Sequence, residues 1–191
     1  MNSTELAAKL RDRLGDLVSE PRSFRGETTV EVTDPEKIAV VCAVAKNELA
    51  CDYLVDISGV DNYGEDPRWL IVYELYGLAH RCHLRLHVRV REEISALPSV
   101  AAVWRAADWH EREIFDMLGI TFRGHPDLRR ILMWDGYPHY PLRKDFPLAG
   151  LPTELPGVAF SEAAPMEGGP FVTTPGVKDA AGREPRARPI E

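Results

Sequence analysis

The order helix, strand, helix, then several strands joined by hairpin links predicts an α+β fold: a two-layer structure with helices packed on a mixed, largely antiparallel sheet, and a long extended Pro-rich C-terminal arm. Three observations predict it. Apolar residues recur at helical spacing in two segments ahead of Cys51, and the segment from Arg81 to Arg91 alternates strictly between apolar and polar. Proline is unevenly placed, with five of the 15 in residues 1–133 and ten in residues 134–191. Proline removes amide donors and stops helices. A boundary near Trp134 therefore separates a globular α+β domain, residues 1–133, from an extended Pro/Gly-rich arm, residues 134–191, that is ordered only where partners supply contacts.

The first helix carries Leu6, Leu10, Leu14, Leu17 and Val18 behind Asn2, whose side chain can cap while Glu5 reaches back. From Phe24 to Thr33 the pattern is a strand, with Arg25, Glu27, Thr29 and Glu31 on one face and Gly26, Thr28, Val30 and Val32 on the other. Asp34 and Pro35 supply an N-cap and a first-turn proline for a second helix, which puts Ile38, Val41, Cys42, Ala45 and Leu49 on one side. Tyr53 to Ser58 reads as a strand. A turn-rich loop, Asp61 to Pro67, leads to another, Trp69 to Tyr76, and Gly77 marks a hairpin. The returning strand has Cys82, Leu84, Leu86, Val88 and Val90 on one face and Arg81, His83, Arg85, His87, Arg89 and Arg91 on the other.

Composition narrows the function classes. A chain of 191 residues, 45% hydrophobic and 28% charged, has material for one core. Its 23 basic and 30 acidic residues give a net charge of −7, which argues against binding nucleic acid or anionic lipid through overall charge. Cys42, Cys51 and Cys82 form no CxxC pair and supply neither a four-thiolate metal site nor a disulfide framework, so a reducing cytoplasmic location is expected. The longest apolar run, Ile38 to Ala45, is far short of the roughly 20 residues of a membrane-spanning helix. The opening MNSTELAAKLRDRLGDLV mixes acids with bases and reads as a folded helix, not a signal peptide.

Candidate chemistry is sparse. The basic strand, residues 81–91, could grip phosphate as nucleic-acid-binding sheets do, but it lacks interleaved aromatics, and Glu27 and Glu31 offer cross-strand partners. His80, Cys82 and His83 resemble metal ligands in sequence, yet alternation turns Cys82 away from His83. In the segment Asp108 to Gly119, Asp108 with Glu111 forms an Asp version of the capping box, and Gly119 stands where a left-handed C-cap belongs. Helical projection points Glu111 at the core, beside Met117, Ile114, Leu118 and Phe115, and leaves Trp109, Arg112, Glu113 and Asp116 on the other side. Glu111 and Glu113 project too far apart to share a ligand, and Arg112 with Asp116, at i and i+4, are expected to neutralise each other. No catalytic triad, Gly-rich phosphate loop or CxxC metal pair is present in the sequence.

ERE at 111–113, DML at 116–118, His125 and RRIL at 129–132 resemble the signature of the C subunit, the 30 kDa-type subunit, of respiratory complex I. The stretch Trp104 to Met133, the later PLRKDFPL at 141–148 and the upstream YLVDISGVDNYG from Tyr53 look like that family in the same order. The resemblance implies a non-catalytic structural subunit of the peripheral arm of a proton-translocating NADH:quinone oxidoreductase. It would sit on the cytoplasmic face of the bacterial inner membrane and brace the quinone-binding D subunit and the iron–sulfur B and I subunits. It also implies no cofactor in this chain, with FMN and iron–sulfur clusters in the partner subunits. Docking against those partners is assigned to Glu111, Arg112, Glu113, Asp116, His125 and Asp127, and further to Arg129, Arg130, Arg143, Lys144 and Asp145. Pro141 and Pro147 bracket Leu142 to Phe146, which is expected to run extended along a partner. The alternatives are the equivalent subunit of a related membrane-bound hydrogenase or plastoquinone-linked complex, a nucleic-acid binder using the basic strand, and a small hydrolase using Glu111 and His125.

Overall fold

In the computed structural model, which describes residues 1–148, 150 and 151, helix α1 spans Ser3–Leu14. Its start is the expected capping box: the Asn2 side chain accepts the Glu5 N–H at 2.8 Å and the Glu5 carboxylate accepts the Asn2 N–H at 3.2 Å. The segment read as one strand from Phe24 is a hairpin, β1 (Arg22–Phe24) and β2 (Glu27–Val32). The reason is the Arg25-Gly26 pair, whose φ angles of 52° and 83° give the double left-handed turn that closes a two-residue hairpin. Thr28, Val30 and Val32 nevertheless face inward as the alternation requires.

Asp34 caps a short 3₁₀ turn, Pro35–Lys37, which runs into α2 (Ile38–Asn47). The sheet continues with β3 (Tyr53–Asp61), β4 (Trp69–Gly77) and β5 (Cys82–Val90) in the order β1-β2-β5-β4-β3. Only the β2–β5 pair is parallel, with Thr29 opposite Arg85, so the sheet is mixed and largely antiparallel. Every apolar residue of β5 named above is buried, together with Ile71, Tyr73 and Leu75 of β4. They pack with Leu6, Leu10, Ile38 and Val41 of the helical layer in a single core, where each fully buried leucine contributes roughly 1.5–3 kcal/mol.

After β5 the chain forms β6 (Ala96–Pro98), α3 (Ala107–Leu118) and β7 (Thr121–Arg123). β6 and β7 pair in parallel as a separate two-stranded sheet that flanks α3 in sequence. Strands of three residues are too short for a period-two signal, and nothing in the sequence marks either. α3 ends, as expected, on Gly119 with φ 79° and ψ 22°, its N–H bonded to the Phe115 carbonyl at 2.9 Å.

Met1–Asp135 is one compact unit, and Gly136 opens a second. Within the second, Leu142 to Phe146 is not extended. The Arg143 N–H reaches the Tyr140 carbonyl at 3.2 Å and the Phe146 N–H reaches the Arg143 carbonyl at 3.0 Å, giving two successive turns. Pro141 fixes a φ that suits the second position of a turn as well as it suits an extended strand, and here it takes the turn. Arg143 then lies over the Tyr140 ring, 4.5 Å from its centroid, instead of alternating with Lys144. The arm expected over residues 152–191 lies outside the described residues.

Candidate functional site

α3 settles on β3 through Gly59, which leaves room for Ile114 and Leu118. That seating turns Glu111 into the interior, fully buried. One of its oxygens accepts the Val100 N–H at 2.7 Å and the other the Ser99 hydroxyl at 2.5 Å. Glu111 therefore caps the turn after β6, and it does not belong to a capping box. α3 has no side-chain cap, because Ala106 occupies the N-cap position with helical angles. Burial pushes the Glu111 carboxyl above its ordinary range, and the bonds from Ser99 and Val100 offset this only in part.

His125 shares this interior. Its side chain is fully buried, and its Nδ1 accepts the Asp127 N–H at 3.0 Å, which leaves the proton on Nε2. Nε2 is directed at the Asp108 carbonyl at 3.1 Å, with the Asp108 carboxylate at 3.2 Å and Glu111 at 3.9 Å. Both side chains are enclosed within this chain: Glu111 holds the turn after β6 to α3, and His125 ties the segment after β7 to the first turn of α3.

Asp116 and Arg112 do not pair with each other. The Asp116 carboxylate accepts three successive backbone N–H groups, from Ile131 at 3.0 Å, Leu132 at 2.6 Å and Met133 at 2.8 Å, while its other oxygen takes the Arg130 guanidinium at 2.5 Å. Arg112 donates from Nε to the Arg129 carbonyl and from Nη2 to the Arg130 carbonyl, both at 3.1 Å. The i and i+4 spacing allowed an ion pair, but a loop that offers a nest of donors and two carbonyls satisfies both side chains more completely. Burial pushes the Asp116 carboxyl up, yet the Met133, Leu132 and Ile131 amides and Arg130 together outweigh it and hold the carboxyl below its ordinary range.

The remaining signature charges lie elsewhere. Glu113 is exposed, and Arg129 pairs with Asp127 at 2.8 Å on the surface, where such a pair contributes at most about 1 kcal/mol. Arg143, Lys144 and Asp145 belong to the second unit. The structure so gathers Glu111, Arg112, Asp116, His125 and Arg130 around α3. Two further groups escaped the sequence reading. Trp109 and Leu132 stand 60% and 62% exposed beside Arg112 and the loop it holds, the Arg112 guanidinium lying 5.3 Å from the Trp109 ring centroid. Arg68 is buried against Asp61 by two bonds of 2.9 and 2.8 Å, with Glu92 at 2.6 Å and the Trp69 ring 4.4 Å away. An exposed tryptophan on a helix face otherwise polar was the available signal for the first, and nothing local marked the second.

The middle of the basic strand is paired in place. Arg85 bonds Glu74 at 2.8 Å and Glu27 at 2.6 Å, Arg89 meets Glu31 at 3.2 Å, and His83 meets Glu74 at 3.2 Å. Burial, aided by Arg85, lowers the His87 pKa below its ordinary value. Among the described residues no group of three or more His, Cys, Asp or Glu side chains is placed to hold a metal ion, and no helix is long and apolar enough to cross a membrane.

Fold and site define an α+β module on a mixed five-stranded sheet whose characteristic helix charges shape the loop beside it. Residues 31–152 match the model of the family described as respiratory-chain NADH dehydrogenase, 30 Kd subunit. The chain is 42% identical over 142 residues to the NADH-quinone oxidoreductase C subunit of Geotalea uraniireducens, covering 74% of this chain and 86% of that one. It is 45% identical over 150 residues to the NADH-quinone oxidoreductase C 2 subunit of Rhizobium etli, covering 78% and 79%. It therefore belongs to the family of the 30 Kd subunit of respiratory-chain NADH dehydrogenase, the C subunit of complex I. The solved trypsin-resistant fragment of Nqo5 superposes with a TM-score of 0.56 at 28% identity, covering 65% of this chain and 97% of that one. A chain of an archaeal membrane-bound sulfane sulfur reductase, a respiratory membrane complex, shares the fold with a TM-score of 0.66 at 21% identity over 75% of this chain and 85% of that one.

Proposed function

We propose that the chain is a non-catalytic structural subunit in the peripheral arm of a proton-translocating NADH:quinone oxidoreductase on the cytoplasmic face of the bacterial inner membrane. It braces the quinone-binding D subunit and the iron–sulfur B and I subunits, and electrons from NADH travel to quinone through FMN and clusters held by those partners and not through this chain. One observation carries the reading: the acids and arginines that could do chemistry are committed to backbone groups of this same chain, Glu111 to the turn after β6 and Asp116 with Arg112 to residues 129–133. Groups so engaged shape a surface; they are not free to move protons to a substrate.

Replacing the chain in its own host tests this. Without it, intact complex and NADH:quinone reductase activity are lost together, the full-length chain restores both, and the purified chain alone oxidises no NADH. Turnover by the purified chain, or a complete and active complex that lacks it, would count against the proposal.

A further inference from the structure

We propose that the face made by Trp109, Arg112 and Leu132 docks onto a neighbouring chain that presents a carboxylate within an apolar surface. This rests on the subunit reading above and names the chemistry of the contact. Trp109 and Leu132 are large apolar side chains left 60% and 62% exposed. They belong to one surface because Arg112 joins them, stacking on the Trp109 ring and gripping the two carbonyls that precede Ile131, while Asp116 pins the amides of Ile131 to Met133.

Charge identifies the occupant. Arg112 is nine-tenths buried, and among the described residues no carboxylate lies within ion-pair distance of it. Its Nε and Nη2 donate to carbonyls, which leaves Nη1 for another acceptor. A guanidinium withdrawn from water without a counter-ion is costly, and burying Trp109 against a partner withdraws it further. A carboxylate from the partner resolves that cost with a charge-assisted bond. Arg105, exposed four residues before Trp109 and also without an ion pair among the described residues, adds a second positive charge ahead of α3. A second copy of this chain is a poor occupant, because a two-fold contact would set this positive face against itself. Tryptophan and arginine at the centre of an apolar patch are the residue types that dominate binding energy at interfaces. Glu111, Asp116 and His125 are positioning residues here and touch no partner.

The full-length chain carrying Trp109→Ser with Leu132→Ser, expressed in place of the wild type, should fold normally by circular dichroism and lower the yield of intact complex at least about tenfold. A photoreactive phenylalanine analogue at position 109 alone should crosslink in the native complex to one neighbouring chain, in a peptide containing Asp or Glu. Full yield from the double variant, crosslinking to a second copy, no crosslink, or a crosslinked peptide without an acid overturns the proposal; the crosslink decides by itself if the double variant fails to fold. Wild-type chain that does not co-purify with the complex would instead sink the subunit reading, so the two failures are told apart.

Discussion

Leu118 of α3 packs straight onto Gly59 of β3, its Cδ1 standing 2.5 Å from where a β-carbon on that glycine would be. Ile114 Cγ2 is next, at 3.3 Å, and both side chains are buried. Gly59 is thus needed for its size and not for an unusual backbone angle. Gly59→Ala should destabilise the protein by about 1–3 kcal/mol through overpacking. Combining it with Leu118→Ala should cost less than the sum of the two single changes, since the second removes the obstacle to the first. Urea unfolding of the four proteins of the cycle gives the answer, and strict additivity would show that the contact does not limit packing.

The Asp116 carboxylate holds a loop that has no regular structure of its own. Asp116→Ala removes the carboxylate that Arg130 bonds and leaves the Ile131 to Met133 amides without their acceptor, at a cost of about 3–5 kcal/mol. Hydrogen exchange at those three amides should accelerate far more than exchange in β5. Equal protection before and after the substitution would refute the anchoring role.

Two acids of the same helix respond to pH in opposite senses. Asp116 has its folded pKa below the ordinary 3.8, so its contribution is complete above that value and is lost as pH falls through the depressed folded pKa. Glu111 is raised above 4.5, so the folded protein holds that proton to higher pH than the unfolded chain does, and stability from this group declines as pH rises from 4.5 through the folded pKa. Glu111→Gln should remove that decline and flatten the profile of urea midpoints upward from pH 4.5. An unchanged profile would mean that Glu111 titrates alike in both states.

Arg68 and Asp61 form an enclosed bidentate pair at 4% and 3% side-chain exposure, at the two ends of the loop between β3 and β4. Arg68→Met keeps an apolar side chain of similar length but removes both guanidinium bonds to Asp61, and should cost about 3–5 kcal/mol. Adding Asp61→Asn should recover part of the loss. Thermal unfolding of the wild type and the two variants checks this, and a loss under about 1 kcal/mol in the single variant would place the pair among ordinary surface contacts.

The three cysteines are closed off. Burial drives the Cys42 thiol far up, and Cys51 is pushed up to about 12 by burial with Cys82 and Asp52 adding to it. Native protein should leave Cys42 and Cys51 unmodified by a thiol reagent at neutral pH, with reaction appearing at the unfolding midpoint. Rapid modification of either before that point would show that the core opens locally.

What the sequence made readable was the regular part. The capping box at Asn2, the period of β5 and the left-handed Gly119 are each written within a few residues, so local physics decides them. The opposite held at α3. Arg112 and Asp116 carry the spacing of an ion pair, and only the path of residues 129–133, set by tertiary packing, reassigns both to backbone groups. Glu111 faces the core as the helical projection requires, but its partners, Ser99 and Val100, come from the turn after β6, a strand too short to leave a pattern. The Arg25-Gly26 turn hid within a run whose alternation continues through it, which merged two strands into one.

The parallel pairing of β2 with β5, Thr29 beside Arg85, has a consequence for synthesis. The β1–β2 hairpin leaves the ribosome well before the strand that completes it, and at about 5–20 residues per second the wait is on the order of several seconds. Throughout that interval Val30 and Val32 have no strand beside them on the β5 side, and β5 itself arrives already committed to β4 by a tight hairpin. Until β5 is made, the newborn chain therefore carries an open strand edge, the kind of edge on which unwanted strand pairing begins.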